Sequence, residues 1–318
     1  MNFMPLKQVS LADKIAHDNP ITIMKMTHHF LTGSLLCAGL LAGGLGFTPL
    51  AQAAPKKVLV VTITTGFRHS SIPVAEKVIA ALGKDSQTFS VEYARVEPRD
   101  EQFKGADGKP DNAKVDAAVK AVLAEKMSAA ALKTYDAIIF ANTTGDLPLP
   151  DKQAFIDWVQ SGKGFVGMHS ATDTFHNFRP YIDMIGGEFQ THKEQVEIQP
   201  INNEPECPAC KHLGNNWKAF DEIYIMKSFD PAKVNKLLTL DKHPNDKTPG
   251  VYPISWCKEF GKGRVFYTSL GHREDMWDPN WTDRKNSKEV AEAYQKHILN
   301  GIKWALGLEN WTLSKRVE

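Results

Sequence analysis

Four short stretches of this chain place titratable or hydrogen-bonding side chains directly after apolar runs. The richest runs from Gly164 to Phe175 and reads Gly-Phe-Val-Gly-Met-His-Ser-Ala-Thr-Asp-Thr-Phe. In it, His169 and Asp173 share one face if the chain turns helical there. A carboxylate can orient an imidazole as a base, or both can ligate a metal. Ser170 and Thr172 add hydroxyls. A second stretch offers Thr65, Gly66, Arg68 and His69; glycine admits close backbone approach, and Arg68 can fork onto an oxygen anion. The third is Asn142, Thr143, Thr144, Gly145 and Asp146, neutral groups suited to sugar hydroxyls but also ordinary turn formers. The fourth is Gly271-His272-Arg273-Glu274. His192 follows Gly186-Gly187-Glu188 and joins such a site if its loop returns to it. His176, His212, His243 and His297 have no such context and read as incidental.

Two familiar chemistries are not supported. Gly-x-Ser-x-Gly is absent: in Gly167-Met168-His169-Ser170-Ala171 the elbow position holds His169, which leaves acyl transfer by Ser170 a minor reading. No Gly-x-x-x-x-Gly-Lys follows Gly66, so a phosphate loop is unsupported.

The elements that must position these residues are legible in outline. Val58 to Ile63 is a β-branched run typical of a strand buried on both faces. A helix follows from Pro73 through Leu82, closed by Gly83. Strands are predicted at Phe89 to Tyr93, Tyr135 to Phe140 and Phe165 to Met168. Between them lie alanine-rich helix over Val115 to Leu132 and a helix from Asp151 to Val159. This alternation is the grammar of parallel βαβ units. In such a sheet the ligand crevice lies outside the carboxyl ends of the strands. The second half instead holds short strand candidates, Val196 to Ile198, Ile223 to Met226, Lys236 to Leu240, Ile254 to Cys257 and Val265 to Ser269. They extend the sheet in antiparallel fashion or form a small subdomain. Gly261-Lys262-Gly263 is a hairpin turn, and Asn286 to Leu306 a long final helix.

The 318 residues, 42% hydrophobic and 24% charged, suit one large α/β domain. Residues 1–53 have the grammar of a secretory signal: Lys25 and His28-His29, an apolar run from Phe30 to Phe47, then Ala51-Gln52-Ala53. An uncleaved anchor is the rival reading, and translation starting at Met24 or Met26 would fit the pattern better. The expected mature domain is 54–318, periplasmic or secreted, with no stable membrane association. Cleavage removes Lys7, Lys14, Lys25, Asp13 and Asp18 from 38 basic and 37 acidic residues, leaving no net charge. Without a basic patch, nucleic acid is not an expected partner. Cys207, Cys210 and Cys257 remain, and export predicts a structural disulfide among them, pairing open. Cys207-Pro208-Ala209-Cys210 has redox-motif spacing, but Asn202, Asn203 and Pro205 mark a loop around it.

Taken together, these stretches resemble the ThuA-like family, named for trehalose utilisation. The matching pieces are Thr65 to His69, Asn142 to Asp146, Gly167 to Phe175 and Gly261 to His272. The resemblance spans about residues 57 to 307. It implies a class I glutamine amidotransferase-like fold, a flavodoxin-like three-layer α/β sandwich with a mostly parallel sheet. Enzymes of that superfamily carry a cysteine nucleophile where this chain has His169, so glutamine hydrolysis is not expected. The family is associated with breakdown of disaccharides and related glycosides, including keto-sugar derivatives. Some members hold a divalent metal, which makes His69, His169, Asp173 and His272 the candidate ligands and zinc the candidate ion. The Cys207–Cys210 pair is outside the family pattern.

The resulting expectation is an exported, carbohydrate-active protein with a small-molecule sugar as partner; monomer and homo-oligomer are both open. Its chemistry would be proton transfer next to a carbonyl (elimination, isomerisation or hydrolysis). His169 serves as base oriented by Asp173, His272 as acid, and Thr65, Arg68, His69, Asn142, Thr143 and Ser170 as substrate contacts. A non-catalytic sugar-binding module, with Trp277 and Trp281 as stacking surfaces, and a metal-dependent hydrolase are the alternatives.

Overall fold

The computed structural model describes residues 54–309 and 311–313. The expected leader, residues 1–53, lies outside them. In chain order the first strands are β1 (Lys56–Val61), β2 (Phe89–Ala94), β3 (Ala137–Ala141), β4 (Gly164–Met168), β5 (Glu188–Thr191) and β6 (Val196–Ile198). They are followed by β7 (Ile201–Asn202), β8 (Ala219–Asp221), β9 (Ile225–Lys227), β10 (Asn235–Lys242), β11 (Pro249–Phe260) and β12 (Gly263–Thr268). The helices are α1 (Ile72–Ser86), α2 (Asn112–Lys126), α3 (Ala129–Leu132), α4 (Lys152–Gln160), α5 (Arg179–Ile185), α6 (Glu274–Trp277) and α7 (Lys288–Ala305).

Eight strands form one sheet in the order β2-β1-β3-β4-β12-β11-β10-β7. β2, β1, β3, β4 and β12 run parallel, and β11, β10 and β7 extend the sheet antiparallel, as one of the two expected arrangements has it. The β11–β12 turn is the predicted glycine hairpin. Side chains alternate between two buried layers, as a strand's period of two requires. Val58, Val60, Ile139 and Val166 pack with Ile79 of α1 and with Ile298 and Ile302 of α7. Leu59, Val61, Ile138 and Phe165 pack with Leu123 of α2, Phe155 and Val159 of α4 and Tyr181 of α5. The result is helix, sheet, helix: a flavodoxin-like sandwich.

Gly83 departs from its expected role. It does not end α1, which runs on to Ser86 and closes through a left-handed Gln87 at φ 56°. A Cβ on Gly83 would lie 2.5 Å from the Phe89 carbonyl oxygen. The glycine therefore serves close helix–strand packing rather than a helix stop.

The expected disulfide is not formed: Cys207, Cys210 and Cys257 are free and buried. The hydrogen-bonded Cys207 sulfur and burial push the Cys210 thiol well above its ordinary range, and burial does the same to Cys257. Cys207 is lowered instead, chiefly by its hydrogen bond with Cys210, and all three sulfurs pack as small apolar groups in the core beside Leu237 and Phe266.

Candidate functional site

Three loops leaving parallel strands converge at the carboxyl edge of the sheet. The loop after β1 brings His69, the end of β4 brings His169, and the loop after β12 brings His272. A fourth residue, Glu222, arrives from the other half of the chain directly after β8. One ligand-type atom from each of His69, His169, Glu222 and His272 lies within 4.8 Å of all the others.

Each donor is fixed from behind. His169 is the first residue of a 3-10 turn, His169–Asp173, and holds a left-handed φ of 46°. That backbone is costly for a residue with a side chain and persists only where the surroundings enforce it. Its Nδ1 lies 2.8 Å from the Ser269 carbonyl oxygen and so carries the proton. Nε2 is therefore the lone-pair atom, and it faces His69 Nε2 at 3.2 Å. His69 Nδ1 is 3.3 Å from Ser170 Oγ.

Glu222 is the shared carboxylate, with Oε2 3.2 Å from His272 Nδ1 and 3.6 Å from His169 Nε2. Its Oε1 lies 3.1 Å from His192 Nδ1, so the returning loop does reach the site. Beneath it, the fully buried Asp221 accepts backbone N–H bonds from Gly271 at 2.7 Å and Glu222 at 3.0 Å. One carboxylate thus ties the His272 loop to the Glu222 segment. Burial lifts the Asp221 carboxyl to about 6, against the pull of those N–H donors.

Burial, reinforced by the neighbouring imidazoles, lowers His69 to about 4 and drives His169 well below its ordinary range. Both are neutral near pH 7, the form that coordinates metals. His272 goes the other way: burial opposes its charge, but Glu222 outweighs burial. Its buried Nδ1 has no aligned hydrogen bond despite the carboxylate nearby. Three ring nitrogens converging on one carboxylate, two of them neutral Nε2 atoms in mutual contact, suit a divalent metal of borderline softness. Zinc, bound by His and carboxylate ligands, fits this donor set.

A cleft of about 320 Å³ opens onto these groups, lined by Phe67, His69, Asp173, Phe189, His192, Glu222, Tyr224 and His272.

Several expected contacts are replaced by others. Asp173 does not orient His169; its Oδ1 lies 2.7 Å from His176 Nε2, and the carboxylate among the three imidazoles is Glu222. The reason is the turn type: a 3-10 turn has three residues per turn, so positions four apart diverge. His176 is accordingly not incidental, for it bridges Asp173 and Glu188, whose Oε1 is 2.8 Å from Nδ1. Arg68 lies outside the cleft lining, pairing with Glu97 at 2.9 Å and donating to the Thr62 carbonyl at 3.0 Å.

The remaining expected substrate contacts are occupied by the protein itself. Asn142 is fully buried and donates to Ser71 Oγ and the Gly271 carbonyl, both at 3.0 Å. Thr143 is buried against Thr174 Oγ1 at 2.8 Å. Thr65 is exposed on the β1 loop but is not in the cleft lining. Ser170 is buried behind His69. Trp277 is fully buried, its Nε1 donating to the Gly271 carbonyl at 2.9 Å, and Trp281 packs against the core beside it. Neither tryptophan is a stacking surface in the cleft.

The fold and the placement of the site define the class: a flavodoxin-like α/β protein of the glutamine amidotransferase-like type, with histidine at the elbow. The trehalose utilisation (ThuA) family model matches residues 57–305, and the chain belongs to that family. A ThuA-like protein from Parabacteroides merdae superposes with a TM-score of 0.56 at 17% identity, covering 83% of this chain and 93% of that one. A ThuA-like protein from Bacteroides uniformis gives 0.55 at 18% identity, covering 82% and 95%. These two likenesses show the shared fold. No curated protein sequence matches the chain.

Proposed function

We propose that this chain is a divalent-metal-dependent, carbohydrate-active enzyme, acting on a disaccharide or glycoside or on its keto-sugar derivative. The observation that carries the reading is the convergence of His69, His169, Glu222 and His272 within 4.8 Å, three of them lining a cleft and His169 buried behind. Membership of the trehalose utilisation family supports the substrate class.

The geometry favours His169 as a ligand over His169 as a general base. One ring nitrogen is committed to Ser269 and the other faces His69, so neither is left for a substrate proton. The Ser269 carbonyl fixes the tautomer of His169, and Ser170 Oγ supports the His69 ring from behind, the usual duty of groups behind metal ligands. Zinc at such a centre would polarise a sugar oxygen and bring the pKa of a bound water to about 7. Asp173, in the cleft wall, is the carboxylate placed to carry a proton to or from the sugar. His192 caps the outer side of Glu222. The signal-like N-terminus supports action outside the cytoplasm, and N-terminal sequencing of the mature protein checks it.

The test is metal analysis coupled to turnover. Purified protein should carry one divalent ion per chain, lose activity on keto-disaccharides when chelated, and regain it on metal return. Metal-free protein with full turnover would overturn the reading. Saccharide binding with no product, loaded or not, would favour the non-catalytic module.

A further inference from the structure

Among the described residues, the exposed large apolar side chains are Phe67, Ile201, Val251 and Leu308, and only Phe67 borders the cleft. Its ring is 67% exposed. A single exposed apolar side chain is ordinary on a protein surface; what sets Phe67 apart is its place in the lining of the cleft, beside His69.

Its backbone is held firmly. Thr144 Oγ1 donates to the Phe67 carbonyl at 2.8 Å, and Thr65 N–H donates to the Thr144 carbonyl at 2.9 Å. A Cβ on Gly66 would meet Thr144 Oγ1 at 3.1 Å, so the loops after β1 and β3 are in close contact there. The ring thus projects from a rigid base, which lowers the ordering cost of binding against it.

The rings of the site form one chain of contacts. Phe67 meets His69 edge-on at 4.9 Å, His69 meets His169 at 4.7 Å, His169 meets Tyr224 at 4.5 Å, and Tyr224 meets Phe189 at 4.2 Å. Exposed Phe67 stands at one end and half-buried Phe189 at the other, with the imidazoles between them.

We propose that Phe67 is the platform on which one pyranose ring of the substrate stacks, and that this sets a preference for disaccharides over single sugars. The inference rests on the carbohydrate reading above. A pyranose presents a face of C–H groups that an aromatic ring can cover, while its hydroxyls stay free for polar partners. One ring on Phe67 places the neighbouring sugar unit over the histidines, against Tyr224 and Phe189.

Calorimetric titration of the zinc-loaded protein with trehalose and with glucose tests this, beside Phe67→Ala and Phe67→Trp. Phe67→Ala should weaken trehalose binding roughly tenfold and glucose binding much less, while Phe67→Trp holds or improves it. Metal content should be the same in all three proteins. In turnover, Phe67→Ala should raise KM and leave kcat nearly unchanged. Equal trehalose affinity in wild type and Phe67→Ala would overturn the platform and leave the carbohydrate reading standing. A wild-type protein that binds no saccharide would remove the reading and the platform with it. An oligomeric state altered by Phe67→Ala, with trehalose affinity intact, would assign the ring to a contact between copies and overturn the proposal.

Discussion

Two neighbouring clusters in this molecule use the same residue types to opposite ends. Around Glu222, three imidazoles share one carboxylate, and His192 adds a fourth at the rim. Around His176, one imidazole is shared by two carboxylates, Asp173 and Glu188. In the first, burial and mutual repulsion hold His69 and His169 neutral. In the second, burial opposes the charge, but the two carboxylate bonds win and raise His176. Both of its ring nitrogens face oxygen acceptors, so both carry protons. Lys227 and Ser228 also satisfy Glu188, both at 3.0 Å. The carboxylate nearest each ring therefore decides its protonation as much as the count of rings does, for His272 beside Glu222 is raised within the first cluster too. The first cluster offers the lone pairs of His69 and His169, whereas the second is an ion-pair network with one carboxylate, Asp173, in the cleft wall.

The contrast is most exposed at His169. His169→Ala should abolish stoichiometric metal binding and lower turnover by at least the 10–100-fold that disturbing groups behind a ligand costs. Metal analysis and turnover on keto-disaccharides check it; a metal-replete His169→Ala protein would erase the distinction. Glu222→Gln should follow, weakening metal affinity about 10–100-fold while the fold persists, since His272 loses its charged partner.

His297 provides a buried imidazole with neither metal nor carboxylate. It contacts the Ala209 carbonyl at 2.8 Å and Ser255 Oγ at 3.2 Å, and burial lowers it to about 4. A depressed histidine contributes stability that is full above its unfolded value near 6.5 and lost as pH falls toward 4. The loss approaches about 3 kcal/mol below that range. Denaturant unfolding of wild type and His297→Leu at pH 7 and 4.5 should show the steeper acid loss in wild type.

Removing the charged ring is expected to spare the metal centre while costing stability and the hydrogen-bond partner of Asp173. His176→Ala should retain metal and lose about 1–3 kcal/mol by leaving Glu188 short of a partner, a fall of roughly 2–4 °C in Tm per kcal/mol. Loss of metal in this variant would show that the two clusters are one. Smallest of all, Arg68→Ala breaks a part-exposed pair with Glu97, worth about 0–1 kcal/mol, and should leave trehalose affinity unchanged.

The parallel core was legible because its strands are β-branched runs between glycine and proline punctuation. His69, His169 and His272 were legible because each ends such a run. Glu222 was missed because β8, Ala219–Asp221, is too short to leave a pattern. The adjacent Asp221-Glu222 doublet was its only trace. Asp173 was placed on His169 by helical spacing that a 3-10 turn does not obey. Arg68 looked like a ligand group because Glu97, which occupies it, lies far off in sequence beyond β2. Phe67 lies inside the Thr65 to His69 stretch, but a lone aromatic in a loop does not announce its exposure.

Gly145 carries a consequence for where a guest can enter. In flavodoxin-like sheets the customary doorway lies where strand order reverses, here between β1 and β3. That doorway is sewn shut: Thr64 and Thr144 form a β-bridge, and a Cβ on Gly145, at φ 81°, would come within 2.9 Å of the Gly66 nitrogen. With that gap closed, a guest enters beside it, through the cleft rimmed by Phe67 and His69 of the β1 loop and by Glu222 and His272 from the later half of the chain.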